Sequence, residues 1–224
     1  MCGRFALVSW APLAEHFCLD DIADDFKKAR YNIAPTQKIG IIPNEEKREL
    51  ISAHWGLIPS WAKDKKMAAK MINARAETVA EKPSFRTPFK IHRCLIPADA
   101  FYEWKGSGKF KQPHVIRLKG GKIFAFAGLY STWRSPEGEV IPSCTIITTE
   151  PNELVKEIHK RMPVILPPEA YSLWLSPEPN EKLHELLLPF PASEMETFPV
   201  STAVNNVRND SPECQKPHIQ GKLF

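Results

Sequence analysis

The second residue of the chain is a cysteine. A small residue after the initiator methionine is an ordinary context for methionine removal, which would leave Cys2 as the amino terminus. Such a residue carries an amine and a thiol on adjacent carbons. The α-amine has an ordinary pKa near ~8, so much of it is neutral and nucleophilic at cellular pH. With an aldehyde the amine forms an imine, and the sulfur then closes a five-membered thiazolidine. Few other protein groups make that product. The competing view is that Cys2 is an incidental second residue. Gly3 lets a ligand approach the backbone closely. Arg4 suits bidentate binding of a phosphate, or a surface salt bridge.

Six further positions carry groups that this chemistry can use. Asn73, in Asn73-Ala74-Arg75, can hydrogen-bond a reacting oxygen, or serve as a turn or cap residue. Arg75 is a second candidate for phosphate. Glu103 stands among aromatics in Phe101-Tyr102-Glu103-Trp104. If buried, desolvation raises its proton affinity and suits it to acid–base work; otherwise it is an exposed strand-face carboxylate. His159 ends a helical stretch, either favoured there by the helix dipole or turned inward for proton transfer. Trp55 and Trp61 bracket Gly56-Leu57-Ile58-Pro59-Ser60 and can stack on bases or pack in a core.

Other chemistries lack their signatures. No GxGxxG, P-loop, HExxH, GxSxG or paired metal-ligand spacing occurs, and no cofactor or metal is expected. The Gly-Ser-Gly-Lys-Phe run at 106–110 lacks phosphate-loop spacing. The five cysteines are scattered, odd in number and without a CxxC pair, so neither disulfides nor zinc is expected. Net charge is +4 and pI about 8.7, which permits an anionic partner without requiring one. With 43% hydrophobic residues and a mean hydropathy of −0.30, the chain reads as globular. It shows neither a signal peptide nor an apolar run near the roughly 20 residues needed to span a bilayer. A cytoplasmic location and no membrane partner are expected.

Residues rich in β-branched and aromatic side chains, or alternating in polarity, predict strands at 38–42, 49–55, 93–104, 114–118, 123–130 and 144–148. Residues 105–111 read as a hairpin turn. Helices are expected at 11–17, 77–81, 152–159, 168–175 and 181–187, with Asn152 capping the third. The 21 prolines argue for many turns and short elements. Strands dominate the middle and helices the flanks, without the regular alternation of a doubly wound fold. The expectation is α+β: a single domain over 1–224 on a curved, largely antiparallel, barrel-like sheet with flanking helices.

Several segments together resemble one family, the SRAP or SOS-response-associated peptidases, also described as abasic-site processing proteins. The matching pieces include Cys2-Gly3-Arg4-Phe5, Tyr31-Asn32-Ile33-Ala34-Pro35, Trp55-Gly56-Leu57-Ile58-Pro59, Asn73-Ala74-Arg75, Cys94-Leu95-Ile96-Pro97-Ala98-Asp99, Phe101-Tyr102-Glu103-Trp104, Phe126-Ala127-Gly128-Leu129-Tyr130 and His159-Lys160-Arg161-Met162-Pro163. They run in family order along nearly the whole chain. The resemblance implies Cys2 as nucleophile, exposed by removal of Met1, with Asn73, Glu103 and His159 catalytic. It implies Arg4, Arg75, Trp61 and Arg161 at the DNA. It further implies a thiazolidine link to the aldehyde of an abasic site, a preference for single-stranded DNA, an associated lyase activity and a self-processing peptidase step. The expected partner is single-stranded DNA containing abasic sites, bound by a monomer and drawing the protein to the nucleoid. Two alternatives remain: an N-terminal-nucleophile cysteine protease or amidase, and a non-catalytic single-strand binding module.

Overall fold

The computed structural model describes residues 2–106, 111–177 and 181–218. Its strands are β1 (Phe5–Leu7), β2 (Arg30–Ile33), β3 (Lys38–Pro43), β4 (Ile51–Trp55), β5 (Asn73–Arg75), β6 (Arg93–Ala98), β7 (Ala100–Lys105), β8 (Gln112–Leu118), β9 (Phe124–Arg134), β10 (Val140–Thr149), β11 (Met162–Pro163), β12 (Ile165–Leu166) and β13 (Met195–Pro199). The α-helices are short: α1 (Leu13–Phe17), α2 (Arg86–Ile91), α3 (Glu153–Lys156) and α4 (Tyr171–Trp174).

Five strands close a barrel in the order β10-β4-β3-β6-β9, with β9 returning to β10. All its pairings are antiparallel except β4 with β10. A second, antiparallel sheet runs β13-β8-β7-β1-β2. Period-two alternation explains the layering. Ile39, Ile41, Ala53, Trp55, Cys94, Ile96, Phe124, Phe126, Cys144 and Ile146 form one core with Phe5, Phe101 and Ile116 of the second sheet. The alternate barrel residues Ile42, Leu95, Ala125, Ala127, Leu129 and Ile147 pack against Leu13, Phe17, Phe89, Tyr171 and Trp174 of the helices. The other face of the second sheet (Ala6, Ala100, Tyr102, Val115) is covered by Val200, Val204 and Cys214. The expected α+β architecture on a curved, mainly antiparallel sheet is what the chain forms.

The expected strand over 93–104 is two strands in two sheets, broken at Asp99. Its buried carboxylate accepts hydrogen bonds from the backbone N–H groups of Val8 (2.6 Å) and Ser9 (2.9 Å), which fixes the corner between barrel and sheet. The 105–111 turn is only partly testable, since 107–110 lie outside the described residues. The stretches at 77–81 and 181–187 form 3₁₀ turns rather than α-helices. The helix expected over 152–159 is the single turn α3, with Asn152 Oδ1 accepting from the N–H of Val155 at 2.9 Å. Not expected were β1, β2, β5, β11, β12, β13 and α2. Arg93 is fully buried and donates to the carbonyls of Phe89 (2.9 Å) and Trp174 (2.8 Å). It thereby ties the C-terminal ends of α2 and α4, where a cation is electrostatically favoured, to β6.

Two local features fix the chain at β4 and at β2. Gly56 has φ +135°, and a Cβ there would lie 2.5 Å from the Ala68 carbonyl oxygen. Only glycine lets the chain leave β4 beneath the 3₁₀ segment Lys65–Lys70. On the second sheet, the β1–β2 register slips by one residue. There Asp210 accepts from the N–H groups of Tyr31 (2.5 Å) and Asn32 (3.0 Å) and pairs with Arg30 Nε at 2.5 Å, strapping the C-terminal segment to β2.

Candidate active site

β1 and β7 pair with Phe5 opposite Phe101 and Ala6 opposite Ala100, and the N–H of Tyr102 donates to the Arg4 carbonyl at 2.9 Å. Continued one residue, this register brings Gly3 opposite Glu103. Phe101 belongs to the barrel-side core, so Glu103, two residues on, leaves β7 on that same face. Cys2 is itself buried in that core, together with Trp55, Ile146 and Val155, against which Ile72 and Ile158 pack. Ile72 precedes Asn73 and Ile158 precedes His159, so one apolar cluster gathers the elements carrying all four candidate catalytic residues.

Glu103 is 4% exposed, which decides between its two readings. Burial lifts its carboxyl from the ordinary 4.5 to about 8. Its Oε1 is buried with no hydrogen-bond donor, as a group waiting for a partner would be. His159 Nδ1 lies 3.7 Å from this oxygen. Such a distance suits an ion pair, but burial favours the neutral form of each partner, raising Glu103 and lowering the proton affinity of His159. Burial thus biases the pair toward its uncharged form, a carboxylic acid beside an imidazole. His159 Nδ1 also sits 3.0 Å from the Arg161 carbonyl and 3.2 Å from the Arg161 N–H, so its tautomer selects which of the two it bonds. The Cys2 thiol is raised by burial first and by the Glu103 carboxylate second, while a hydrogen bond from the Arg4 backbone opposes the rise. At rest the sulfur is a thiol, and it needs a base before it can attack.

Asn73 opens β5, which runs parallel to β10 with Asn73 opposite Ile146. The indole N–H of Trp55 holds the preceding carbonyl of Ile72 at 3.0 Å. Asn73 Nδ2 reaches the Ile146 carbonyl at 3.5 Å, and its Oδ1 is buried without a donor. Glu103 and Asn73 thus each contribute one unused acceptor.

The four candidate DNA contacts divide. Arg75 is exposed and leaves β5 on the same face as Asn73. Trp61 is 58% exposed, whereas Trp55 is core. Arg161 is engaged by Glu77 through both terminal nitrogens and by the Thr148 carbonyl at 2.5 Å, which sets it beside Arg75, the register partner of Thr148. Arg4 Nη1 donates to Asn32 Oδ1 (2.8 Å) and the Val204 carbonyl (2.6 Å), and its guanidinium lies 5.6 Å from the Trp104 ring. Arg4 therefore extends from the sheet face opposite that of Glu103. Glu77, Asn32 and Asp99 escaped the sequence reading as partners. All three lie within family-like motif segments, Glu77 in the one that runs from Ile72 to Thr78, but nothing local shows whom they bind.

A family model described as SOS response associated peptidase (SRAP) matches residues 1–207. The chain is 50% identical over 224 residues to the abasic site processing protein YoqW of Bacillus subtilis (strain 168), covering 97% of this chain and 100% of that one. It is 37% identical over 198 residues to the abasic site processing protein HMCES of Gallus gallus, covering 78% of this chain and 59% of that protein. A crystal structure of a protein from Bacteroides thetaiotaomicron superposes with a TM-score of 0.87 at 29% identity, covering 97% of this chain and 100% of the other.

Proposed function

The chain belongs to the SOS-response-associated peptidase (SRAP) family, and on that premise we propose that it processes abasic sites in DNA by capturing the ring-opened aldehyde on Cys2. The observation that carries the proposal is a buried carboxyl held near pKa 8 beside a buried cysteine at the second position. Imine formation needs an acid at the moment when water leaves, and thiazolidine closure needs a base for the thiol. One group of that pKa serves both.

The steps balance. The free Cys2 amine adds to the aldehyde carbon, giving a carbinolamine. Neutral Glu103 gives its proton to the departing hydroxyl, water leaves, and an iminium forms. The Glu103 carboxylate then takes the thiol proton, and the sulfur adds to the iminium carbon. The product is a thiazolidine with a neutral nitrogen; one water has been lost and Glu103 is protonated again. His159, neutral and adjacent, suits the proton transfer that opens the sugar hemiacetal. The unused Asn73 Oδ1 suits an N–H or O–H of the carbinolamine and orients it. From the same imine, loss of a proton at the neighbouring sugar carbon with expulsion of the 3′ phosphate would cleave the strand, which accounts for a lyase activity. Removal of Met1 is the peptidase step.

Arg75 and Trp61 are the exposed groups for DNA, a phosphate contact and a stacking surface. Single-stranded DNA suits both, because its bases are free to stack and its backbone can follow the face of β5. Arg161, paired with Glu77, buttresses Arg75, and Arg4 buttresses the first strand from the far face of the sheet.

Intact-mass measurement tests the proposal. The protein is mixed with three single strands: one abasic, one with tetrahydrofuran in place of the sugar, and one undamaged. The expected result is an adduct of protein plus DNA minus one water with the abasic strand alone. An adduct on the tetrahydrofuran strand, which has no aldehyde, or none on the abasic strand, would overturn it.

A further inference from the structure

We propose that Asn32 is a positioning residue for Cys2, acting through its buried hydrogen bond to Arg4. The inference rests on the capture function proposed above. Asn32 lies on β2 and is fully buried. Its Oδ1 accepts from Arg4 Nη1 at 2.8 Å. Its Nδ2 faces three backbone carbonyls of the C-terminal segment: Val204 at 3.3 Å, Asn206 at 3.1 Å and Asn209 at 2.6 Å. Arg4 Nη1 shares the Val204 carbonyl, and the Trp104 ring beneath the guanidinium is itself held by Asn205 through its indole N–H at 2.7 Å.

The geometry joins two things: the start of β1, through Arg4, and the C-terminal segment, through three carbonyls. Arg4 pairs with Tyr102 through its carbonyl, and only Gly3 separates it from the buried Cys2. Fixing the Arg4 side chain from behind the sheet therefore fixes the stretch of chain that carries Cys2, two residues earlier, in front of it. Chain ends fray unless tied down, and here the nucleophile is within two residues of the end. A misplacement of about 1 Å costs on the order of 10²-fold in rate. Asn32 touches neither the site nor the DNA path, because its carboxamide is enclosed by protein on the far face.

Single-turnover capture of an abasic single strand, measured across DNA concentration, separates rate from affinity. Asn32→Ala should lower the rate constant at saturating DNA by about 10- to 100-fold, with the half-saturating concentration and the final yield unchanged. Arg4→Lys, which keeps the charge but loses the planar fork and leaves the Asn32 contacts to the segment in place, should be slowed in the same way. It answers the question if Asn32→Ala does not fold. Asn32→Asp, which keeps the acceptor for Arg4 but not the donors to the C-terminal segment, should stay within about threefold of wild type. A loss confined to half-saturation would make Arg4 a DNA contact instead. Equal slowing of the Asp and Ala variants would assign the effect to the C-terminal segment. No slowing in either Asn32→Ala or Arg4→Lys would remove the role altogether. Amide exchange at residues 2–4 without DNA should be faster in Asn32→Ala. That readout stands apart from the chemistry, so a wild-type protein that captures nothing would sink the function without deciding the fate of Asn32.

Discussion

Replacing Glu103 by glutamine should make the protein more stable and far less active, with a pH dependence that identifies the cause. Burial raises the Glu103 carboxyl from 4.5 to about 8. The unfolded chain gives up its proton near the ordinary value, whereas the folded chain holds it until about pH 8. The favourable contribution is thus fully present below 4.5 and is lost as pH rises through about 8. At ~1.36 kcal/mol per pH unit, wild type forfeits roughly 3 kcal/mol by pH 7 and about 5 kcal/mol above pH 8 relative to a residue that cannot ionise. These magnitudes are upper bounds, since relaxation around a buried charge reduces them. Glutamine has the same shape and no titration. Its buried amide brings a cost of its own, but that cost does not vary with pH. His159 is present in both proteins and largely cancels in the comparison. Urea unfolding of wild type and Glu103→Gln at pH 5, 7 and 9 should show the variant gaining about 2.5 kcal/mol on wild type between pH 5 and 7 and levelling above 8. In single-turnover capture the variant should lose about 10²–10⁴-fold. The wild-type rate should fall with rising pH once the proton donor is lost above about 8. A stability difference that stays flat from pH 5 to 9 would mean that Glu103 is charged in the fold, and the proton-donor role would fall with it.

Cys2→Ala should abolish the heat-stable adduct while preserving the circular dichroism spectrum, and any residue or tag left before Cys2 should do the same, because the amine is then an amide; denaturing gels read both. Arg75→Ala should weaken binding to a tetrahydrofuran strand and reduce the slope of log affinity against log salt by about 1. Salt titration by fluorescence anisotropy checks this, and an unchanged slope would strike Arg75 from the phosphate contacts.

The long strands were legible because they alternate. Residues 114–118 fall inside β8, and all but the first of 123–130 fall inside β9, whose successive side chains alternate between two buried faces. β1 and β5 were not, since three residues hold no periodicity. Their existence depends on pairing with β7 and β10, which lie nearly 100 and more than 70 residues away. The candidate residues were nonetheless singled out, because Cys2, just before β1, and Asn73, at the start of β5, are conspicuous as residue types in their motifs. The break at Asp99 depends on two backbone N–H groups about 90 residues away, and no local pattern reports them. The same distance hides the engagement of Arg4 and Arg161. A cation in a sequence looks free until its partner, here Asn32 or Glu77, is brought to it by the fold.

The strap at Asp210 has a consequence for how these molecules behave in a crowd. β2 is an outer strand of its sheet, and the N–H groups of an outer strand are a template on which another chain can add itself. Here a side chain fills that place: the Asp210 carboxylate takes the N–H groups of Tyr31 and Asn32 together, at the point where the slipped register already bends the strand. A carboxylate accepts but offers no onward ladder, so the sheet ends at this residue rather than continuing into a neighbour. The barrel, closed on itself, has no such margin between β9 and β10. The C-terminal segment thereby serves as a selvedge, a finished border that keeps the weave from taking up loose threads.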